Sequence, residues 1–453
     1  MRRCTRLLAA MAVVVAAAAS PTAASAESYE PITGEGSTWA GVAIDAMRVN
    51  VKQFGLTVNY GQTGSTAGRK NFLKGIADFA GSDIPFQFQP EDGSAPDTPA
   101  PGSYAYMPIT AGGTAFMYNL KINGQRVTNL RLSGENVAKI FASVITQWND
   151  PALVADNPGL ALPDRKIVPI VRPDGSGSTA QFSLWMIKQH GGIWNEYCQR
   201  SGRAPKCGQT SFYPTVSGMI GASGDPGVAG RVAQPNAEGA IGYINYSYAL
   251  GARFPVAKVL NKAGYYTEPT PDNVAVSLLK SQINTDPGSP DYLTQNLDGV
   301  YSDPDERNYQ LSSYSYLILP TTVRGQFNVE KGKSLSAFSY SAMCQARAVG
   351  LPRVLADAHQ PREGGLRADP QDPRRGGSGH RDLPLQEPDV LPRWHQPRGD
   401  QRQEARRLRP QGAHPMRHRD RRPEAGADQG QDRHCGCWGR AGWVRTRVGS
   451  DRR

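Results

Sequence analysis

Histidine is nearly absent from the first 344 residues of this 453-residue chain, where His190 is the only one. A serine hydrolase needs a base beside its nucleophile, and the G-x-S-x-G sequence that often surrounds that serine is also missing. A metallophosphatase needs several His, Asp or Glu ligands. His190 precedes Gly191-Gly192, where we expect a helix to end and its dipole to contact the imidazole. The sequence therefore predicts that the protein is not an enzyme and that it has no catalytic site, no metal site and no cofactor.

Long apolar runs are missing after residue 26, so nothing downstream predicts a membrane span. Residues 1–26 contain three arginines, a short apolar run from Leu7 to Ala19 and the small residues Ala24-Ser25-Ala26. This pattern predicts a signal peptide, because the run is too short to cross a bilayer. Cys4 lies before the apolar run, so it is not the lipid-bearing cysteine of a lipoprotein. We expect a secreted protein without a lipid anchor.

Net charge is nearly absent from the part of the chain that is expected to fold. The whole chain carries +11, of which +3 lies in residues 1–26 and +9 in residues 345–453, where 23 Arg face 14 acidic residues. Subtracting both contributions leaves −1 for residues 27–344. A general role in binding nucleic acid or a membrane surface therefore has no support.

Residues 345–453 also lack Ile, Phe, Tyr, Asn and Lys. This Arg-, Pro- and Gly-rich composition is typical of a disordered tail, which could bind an anionic surface. The alternative is out-of-frame translation of a GC-rich gene. With allowed codons, a shift of one nucleotide turns residues 359–373 into INLVKAGFEQIRKIP, which has the spacing of an amphipathic helix. The out-of-frame interpretation is favoured, and the coding DNA near residue 344 tests it.

Three short Gly/Ser/Thr segments each precede a predicted helix: residues 34–38 (GEGST), 64–68 (GSTAG) and 174–179 (DGSGST). A helix N-terminus presents unpaired N–H groups and a partial positive charge, so it attracts anions. Ser and Thr at such positions either cap the helix or donate a hydroxyl to a ligand. One such turn is common. Three of them, with Asp83 and Arg172 nearby, predict a tetrahedral oxyanion held by many neutral donors.

The body of the chain alternates predicted strands with predicted helices, which favours an α/β fold with parallel sheet units. Ligands of such sheets bind at the carboxyl ends of the strands, where the helices begin. All three turns have this placement. The predicted strands are residues 56–60, 79–83, 107–120, 166–171, 239–248 and 315–321, and the predicted helices include 65–74 and 133–141.

Two cysteines, Cys198 and Cys207, flank a loop that contains Gly and Pro. Secretion permits disulfides, so we expect the two to pair. Two free thiols are the alternative.

Asp83 and Arg172 carry the predicted specificity. Arg172 offers a charge-assisted fork to the oxygens of a tetrahedral oxyanion, the alternative being a surface ion pair with Asp174. A carboxylate repels an anion unless the anion brings a proton. Phosphate keeps a proton near neutral pH and sulfate does not, so Asp83 favours phosphate. The alternative role for Asp83 is in a turn or a helix cap. The alternative role for Ser65, Ser176 and Ser178 is that of helix caps.

Several segments together resemble the periplasmic or secreted phosphate-binding proteins of ABC-type phosphate import. They are GEGSTWAG (34–41), YGQTGSTAGRKNF (60–72), ADFAGSD (77–83), VITQWNDPAL (144–153), RPDGSGSTAQF (172–182) and GAIGYINYSYA (239–249). The resemblance implies a two-lobe periplasmic-binding-protein fold of type II, with the anion in a cleft between lobes joined by two crossing strands, within residues 107–119 and 314–321. Residues 27–110 and 315–344 would form lobe 1, and residues 111–314 lobe 2.

The same resemblance implies a set of phosphate contacts and partners. The contacts would come from Thr38, Trp39, Ser65, Asp83, Arg172, Ser176, Gly177 and Ser178, while Asp174 would hold the Arg172 guanidinium. The expected partners are inorganic phosphate and a membrane ABC permease, and the protein is expected to be a monomer. The alternatives are a secreted phosphate scavenger or surface protein without permease docking, and a binder of another oxyanion such as sulfate.

Overall fold

The computed structural model describes residues 28–203 and 207–348, with side chains described as far as residue 344. The predicted signal peptide lies outside the described residues, as does nearly all of the predicted tail. The strands are β1 (Ile32–Gly36), β2 (Val58–Gly61), β3 (Phe79–Ser82), β4 (Tyr104–Tyr118), β5 (Lys121–Ile122), β6 (Gln125–Arg126), β7 (Arg131–Leu132), β8 (Val168–Val171), β9 (Ile220–Gly221), β10 (Ala240–Asn245), β11 (Lys258–Leu260), β12 (Tyr266–Thr267), β13 (Gln282–Ile283), β14 (Gln295–Asn296) and β15 (Ser312–Pro320).

The helices are α1 (Gly41–Lys52), α2 (Ser65–Leu73), α3 (Gly134–Phe141), α4 (Pro151–Asp156), α5 (Gly177–Arg200), α6 (Gly224–Val232), α7 (Tyr246–Ala252), α8 (Pro271–Leu278), α9 (Asp298–Tyr301) and α10 (Val329–Ala348). In the described part of the chain, no helix combines the length and the apolar character needed to cross a bilayer.

An eight-stranded sheet runs through the molecule in the order β2-β1-β3-β15-β4-β10-β8-β9. Strands β1, β2 and β3 are parallel, and β15 lies antiparallel between β3 and β4. The long strand β4 pairs with β15 along residues 104–113 and with β10 along residues 114–118. Strands β10, β8 and β9 are parallel to one another. The sheet therefore has two halves that share β4, and the predicted two-lobe α/β fold is confirmed.

The helices that begin near the predicted turns follow directly on strands of this sheet. Strand β1 leads into α1, β2 into α2, and β8 into α5. The predicted strand at residues 239–248 is too long, because Asn245 caps α7 by accepting the backbone N–H of Ser247 at 2.9 Å. Residues 34–36 belong to β1, so the first turn covers residues 37–40 instead of 34–38.

Three groups of buried side chains hold the sheet and helices together. One joins α1 and α10 to the first half of the sheet through Ile32, Ile44, Leu317 and Phe338, among others. A second packs α6 against β8 and β10. The largest is rich in aromatic rings and contains Phe116, Phe141, Phe182, Trp185 and Tyr243.

The aromatic group fixes the direction of α5, and therefore the position of the turn before it. Phe182 stacks on Trp185 with ring centroids 5.9 Å apart and meets Tyr243 at 4.9 Å. The expected helix end near His190 is confirmed, because the backbone of His190 is non-helical (φ −141°, ψ 40°) and divides α5 into two helical segments. The second segment runs to Arg200 and buries Trp194 and Tyr197. His190 packs edge-on against Trp185, and burial lowers the pKa of its imidazole.

The predicted disulfide is confirmed, since Cys198 is bonded to Cys207 with their Cα atoms 5.3 Å apart. The disulfide links the end of α5 to the segment that begins at Cys207. Residues 204–206, between the two, lie outside the described part of the chain.

Replacing both cysteines by serine, Cys198→Ser with Cys207→Ser, should lower the free energy of unfolding by about 2 to 3 kcal/mol, because the bridge closes a short loop in the unfolded chain. Urea denaturation followed by circular dichroism measures the change. Reducing the wild-type protein before unfolding should give the same loss. An unchanged free energy in both experiments would contradict the prediction.

Candidate anion-binding site

The three predicted turns meet at one place, where the two halves of the sheet face each other. Thr38, after β1, accepts a hydrogen bond from Nη1 of Arg172, after β8, at 2.9 Å. The backbone N–H of Thr66, in the first turn of α2, donates to the carbonyl of Gly175 at 3.0 Å. Asp83 follows β3, and its Oδ2 accepts a hydrogen bond from the hydroxyl of Ser65 at 3.2 Å. The sequence-predicted residues are thus brought together, at the carboxyl ends of parallel strands.

Asp83 is a buried carboxylate surrounded by hydroxyl donors, with 2% of its surface exposed. Its Oδ1 accepts from Ser37 at 2.6 Å and from Ser315 at 2.8 Å, and its Oδ2 accepts from Ser65 at 3.2 Å. Burial raises the pKa of Asp83, and the hydrogen bonds from Ser37 and Ser315 act in the opposite direction. These long-range contacts do not correspond to a local turn or to a helix cap.

Arg172 is also buried, with 1% exposed, and two carboxylates share its guanidinium. Nε donates to Oδ1 of Asp174 at 3.0 Å, and Nη1 donates to Oδ2 of Asp225 at 2.7 Å. Burial by itself would lower the pKa of Arg172, but Asp225 and Asp174 outweigh it and the pKa is raised. Asp174 holds the guanidinium as expected, although the pair is not the surface ion pair considered as the alternative.

The first turn of α5 carries the remaining predicted residues. Ser176 is the helix cap, since its hydroxyl accepts the N–H of Thr179 at 3.1 Å, and it lies 2.9 Å from the Ser178 hydroxyl. Ser178 contacts Nη1 of Arg172 at 3.5 Å. A Cβ on Gly177 would lie 2.4 Å from Oγ of Ser65 and 2.7 Å from Oδ2 of Asp83. Only glycine therefore lets α5 start directly against Ser65 and Asp83.

Trp39 is buried beside the strand that both halves share. Its ring lies against Gly112 of β4, where a Cβ would approach Cη2 of Trp39 to 2.9 Å. Its indole N–H has no hydrogen-bond partner among the described residues. The large ring is accommodated because residue 112 has no side chain.

Three site residues escaped the sequence reasoning, namely Asp225, Tyr248 and Ser315, and Ser37 lay in the first predicted turn without being named as a contact. Asp225 could have been found, because Ser223 is the residue before α6 and Gly224 begins it, a Ser-Gly start similar to those of the recognised turns. Tyr248 lies near the start of α7, and its hydroxyl donates a hydrogen bond to the carbonyl of Thr38 at 2.7 Å. Ser315 reaches Asp83 from the middle of β15, and nothing in its local sequence distinguishes it.

The chemistry of this site is that of an anion receptor made largely from neutral donors. Helices α1, α2, α5 and α6 all begin beside it, and helix N-termini favour anions. The hydroxyls of Thr38, Ser65, Ser176 and Ser178 add further donors. Among the described residues, no group of three or more His, Cys, Asp or Glu side chains could hold a metal ion.

Comparison with known proteins identifies the family. A family model described as a PBP superfamily domain matches residues 21–342. This chain belongs to that superfamily. The curated relatives that the chain matches are named as binding proteins, which agrees with the prediction that the chain is not an enzyme.

Curated relatives are named as phosphate-binding proteins, which confirms the resemblance derived from the motifs. PstS2 of Mycobacterium bovis is 35% identical over 226 residues, covering 49% of this chain and 54% of the relative. PstS of Methanocaldococcus jannaschii is 29% identical over 317 residues, covering 66% and 76%. The chain thus spans about half the length of the M. bovis relative.

A solved structure of a high-affinity periplasmic phosphate-binding protein with bound phosphate matches with a TM-score of 0.51 and 19% identity, covering 69% of this chain and 86% of the other. At this identity the match supports the superfamily fold alone.

The contact of Gly177 with Ser65 and Asp83 gives a test of the site geometry that needs no ligand. Gly177→Ala should lower the free energy of unfolding by about 1 to 3 kcal/mol, because the new Cβ forces α5 away from Ser65. The matched control is Gly192→Ala in the same helix, where nothing lies within 4 Å; there alanine should be neutral or stabilising by up to about 1 kcal/mol. Denaturant unfolding compares the two, and equal effects would contradict the described packing.

Proposed function

We propose that this protein is a secreted receptor that binds inorganic phosphate between its two lobes and delivers it to a membrane ABC importer. The observation that carries the proposal is the buried Asp83 carboxylate, placed among hydroxyl and N–H donors close to a buried arginine. The relatives named as phosphate-binding proteins support the same ligand.

Each predicted residue has a role that its position supports. The hydroxyl and N–H of Thr38 and the N–H of Trp39 donate from the first turn, and Ser65 donates from α2. Ser176, Gly177 and Ser178 donate from the start of α5. Arg172 supplies the positive charge, and Asp174 fixes the plane of the guanidinium so that it need not be ordered when the ligand binds.

Asp83 gives the site its selectivity for phosphate over sulfate. A phosphate P–OH donates to the carboxylate, whereas fully ionised sulfate would place two acceptors against each other in a buried site. Such a mismatch costs several kcal/mol, so one residue is enough to reject sulfate.

Binding is coupled to closure of the lobes. We assign residues 27–110 and 315–344 to lobe 1 and residues 111–314 to lobe 2. The change of partner of β4 near residue 113, together with β15, supports this division. Contacts between the lobes include Thr38 with Arg172, and Gln181, whose amide donates to the carbonyl of Asp83 at 2.8 Å. Phosphate completes this contact surface and favours the closed form.

The partners and location follow from the same proposal. The protein works outside the cytoplasm as a monomer, docks on a membrane permease, and needs neither cofactor nor nucleic acid. The signal-peptide pattern of residues 1–26 supports an extracytoplasmic site of action.

Isothermal titration calorimetry tests the ligand. Wild-type protein should bind phosphate and arsenate, which both keep a proton near neutral pH, and should bind sulfate far more weakly. Arg172→Ala and Asp83→Ala should each weaken phosphate binding by roughly tenfold to a hundredfold, because each removes a hydrogen bond to a charged group. Arg307→Ala, in an exposed ion pair with Asp305, is the matched control and should bind like wild type. Wild-type affinity in both site variants would refute the assignment.

Small-angle X-ray scattering tests the closure. Adding phosphate should reduce the radius of gyration of the full chain, because the lobes come together around the ligand. The Arg172→Ala variant should need roughly tenfold to a hundredfold more phosphate for the same reduction. A wild-type radius that is unaffected by saturating phosphate would rule out closure on binding.

A further inference from the structure

A long loop of lobe 1 reaches across to lobe 2 beside the candidate site. Residues 83–103 join β3 to β4 without forming a helix or a strand, and four prolines among residues 90–101 restrict the backbone. Loops of more than about 15 residues are uncommon in compact domains and are often functional. The proposed phosphate contacts use only Asp83 from this loop. We call its middle part, residues 87–97, the strap.

The base of the strap is anchored in lobe 1. The backbone N–H of Asp97 donates to the carbonyl of Gln87 at 2.8 Å, and Oδ2 of Asp97 accepts the N–H of Gln87 at 2.9 Å. The same oxygen accepts Nε of Arg69, in α2, at 2.8 Å, and each side chain of this ion pair is 3% exposed. Helix α2 begins at Ser65, so the strap is held by an element that carries a predicted phosphate contact.

The tip of the strap binds the backbone and a hydroxyl of lobe 2. Oε2 of Glu91 accepts the backbone N–H of Gln209 at 3.0 Å, and Oδ2 of Asp92 accepts the hydroxyl of Thr210. The other oxygen of Asp92 accepts the hydroxyl of Ser94 at 2.6 Å and its N–H at 3.0 Å, which orients the carboxylate. The strap therefore joins the two lobes through a pair of adjacent acidic residues.

The surface that receives the strap is shaped for a close approach. A Cβ on Gly208, whose φ is +61°, would lie 2.2 Å from Cβ of Glu91. The carbonyl of Gly208 accepts the indole N–H of Trp194 at 3.1 Å, and the preceding residue, Cys207, is bonded to Cys198. Both attachments lead to α5, so the receiving surface is fixed within its own lobe.

The segment that receives the strap, residues 207–213, also supports the candidate anion site. The carbonyl of Ser211 accepts the backbone N–H of Ser176 at 2.9 Å, and the N–H of Tyr213 donates to the carbonyl of Arg172 at 3.0 Å. A contact that fixes this segment against lobe 1 therefore fixes two of the predicted phosphate contacts as well.

The contact between the strap and the receiving segment is polar and open to water. Glu91 is exposed and Asp92 is half-buried. Each hydrogen bond of this kind contributes modestly, because water replaces the partner when the bond breaks. Separating the two surfaces exposes no apolar core, so the contact can form and break as the lobes close and open.

We propose that Glu91 and Asp92 are positioning residues of the phosphate site, which fasten the strap to residues 207–213 and thereby hold Arg172 and Ser176 against lobe 1. This inference rests on the proposed function, since it concerns what stabilises the closed form that holds phosphate. The strap contacts exist in the closed form and are lost when the lobes separate. They therefore slow the release of phosphate and leave its capture by the open form unaffected.

The experiment measures phosphate release from the full chain. Protein loaded with radiolabelled inorganic phosphate is mixed with excess unlabelled phosphate, and rapid filtration follows the bound label. Glu91→Ala and Asp92→Ala should each speed release by roughly threefold to tenfold and weaken the calorimetric affinity by the same factor, without slowing association. The matched control is Glu330→Ala, an exposed carboxylate paired with Lys333 in its own helix, which should release phosphate like wild type.

A double-mutant cycle shows whether the partners act on phosphate together. Thr210→Val should also speed release, and adding it to Asp92→Ala should have less effect than it has in the wild-type chain, because the partner is already missing. Full additivity of the two changes would contradict the assigned contact.

The outcomes separate this inference from the proposed function. Wild-type release rates in both Glu91→Ala and Asp92→Ala, or variants that slow association and leave release unchanged, overturn the role of the strap while phosphate binding stands. Absence of phosphate binding by the wild-type protein overturns the proposed function and this inference with it.

Discussion

The structure depends on a buried guanidinium at the meeting point of the two sheet halves. Arg172 leaves β8 in the second half and reaches Thr38 beyond β1 in the first. Removing such a cation from water is expensive, and two carboxylates and a hydroxyl compensate for the loss. Arg172 is also tied to the aromatic group and to α5, since its backbone N–H donates to the Tyr243 hydroxyl at 3.1 Å and its Nη1 contacts Ser178 at 3.5 Å. The site and the fold are therefore parts of one arrangement.

Neutral donors have a particular advantage in this arrangement. Three carboxylates already surround one arginine, so added lysines or arginines would have to be desolvated in a crowded, buried space. Backbone N–H groups at the starts of four helices contribute attraction without a mobile charge. Their directions are set by the fold before a ligand arrives, so little ordering is left for the binding step. The near-neutral net charge of residues 27–344 is consistent with a receptor of this kind.

The sequence predicted those parts of the molecule that have a local signal. Gly/Ser/Thr turns before helices located Thr38, Ser65 and Ser176, and the spacing of Cys198 and Cys207 in a chain with a predicted signal peptide was sufficient to predict their bridge. The helix end near His190 was predicted from Gly191-Gly192, but the second helical segment that continues to Arg200 was not, because the burial of Trp194 and Tyr197 is a tertiary effect. Ser315 was missed for a similar reason, since it meets Asp83 only after β15 is inserted beside β3. Asp225 had a signal in Ser223-Gly224, but nothing in the local sequence indicated that its carboxylate would lie beside Arg172 and Thr38.

The insertion of β15 between β3 and β4 has a consequence for biogenesis. Residues 79–82 and 104–113 are far earlier in the chain than residues 312–320, yet they are joined in the sheet only through the late strand. The group of buried side chains that joins α1 and α10 to the first half of the sheet also contains Leu317 and Phe338. The amino-terminal third therefore cannot complete its packing during early synthesis. Long-range pairing of this kind folds slowly. A nascent chain that stays incomplete until its carboxyl-terminal part is made suits export in an unfolded state, and any product cut before residue 312 would leave two unpaired sheet edges open to aggregation.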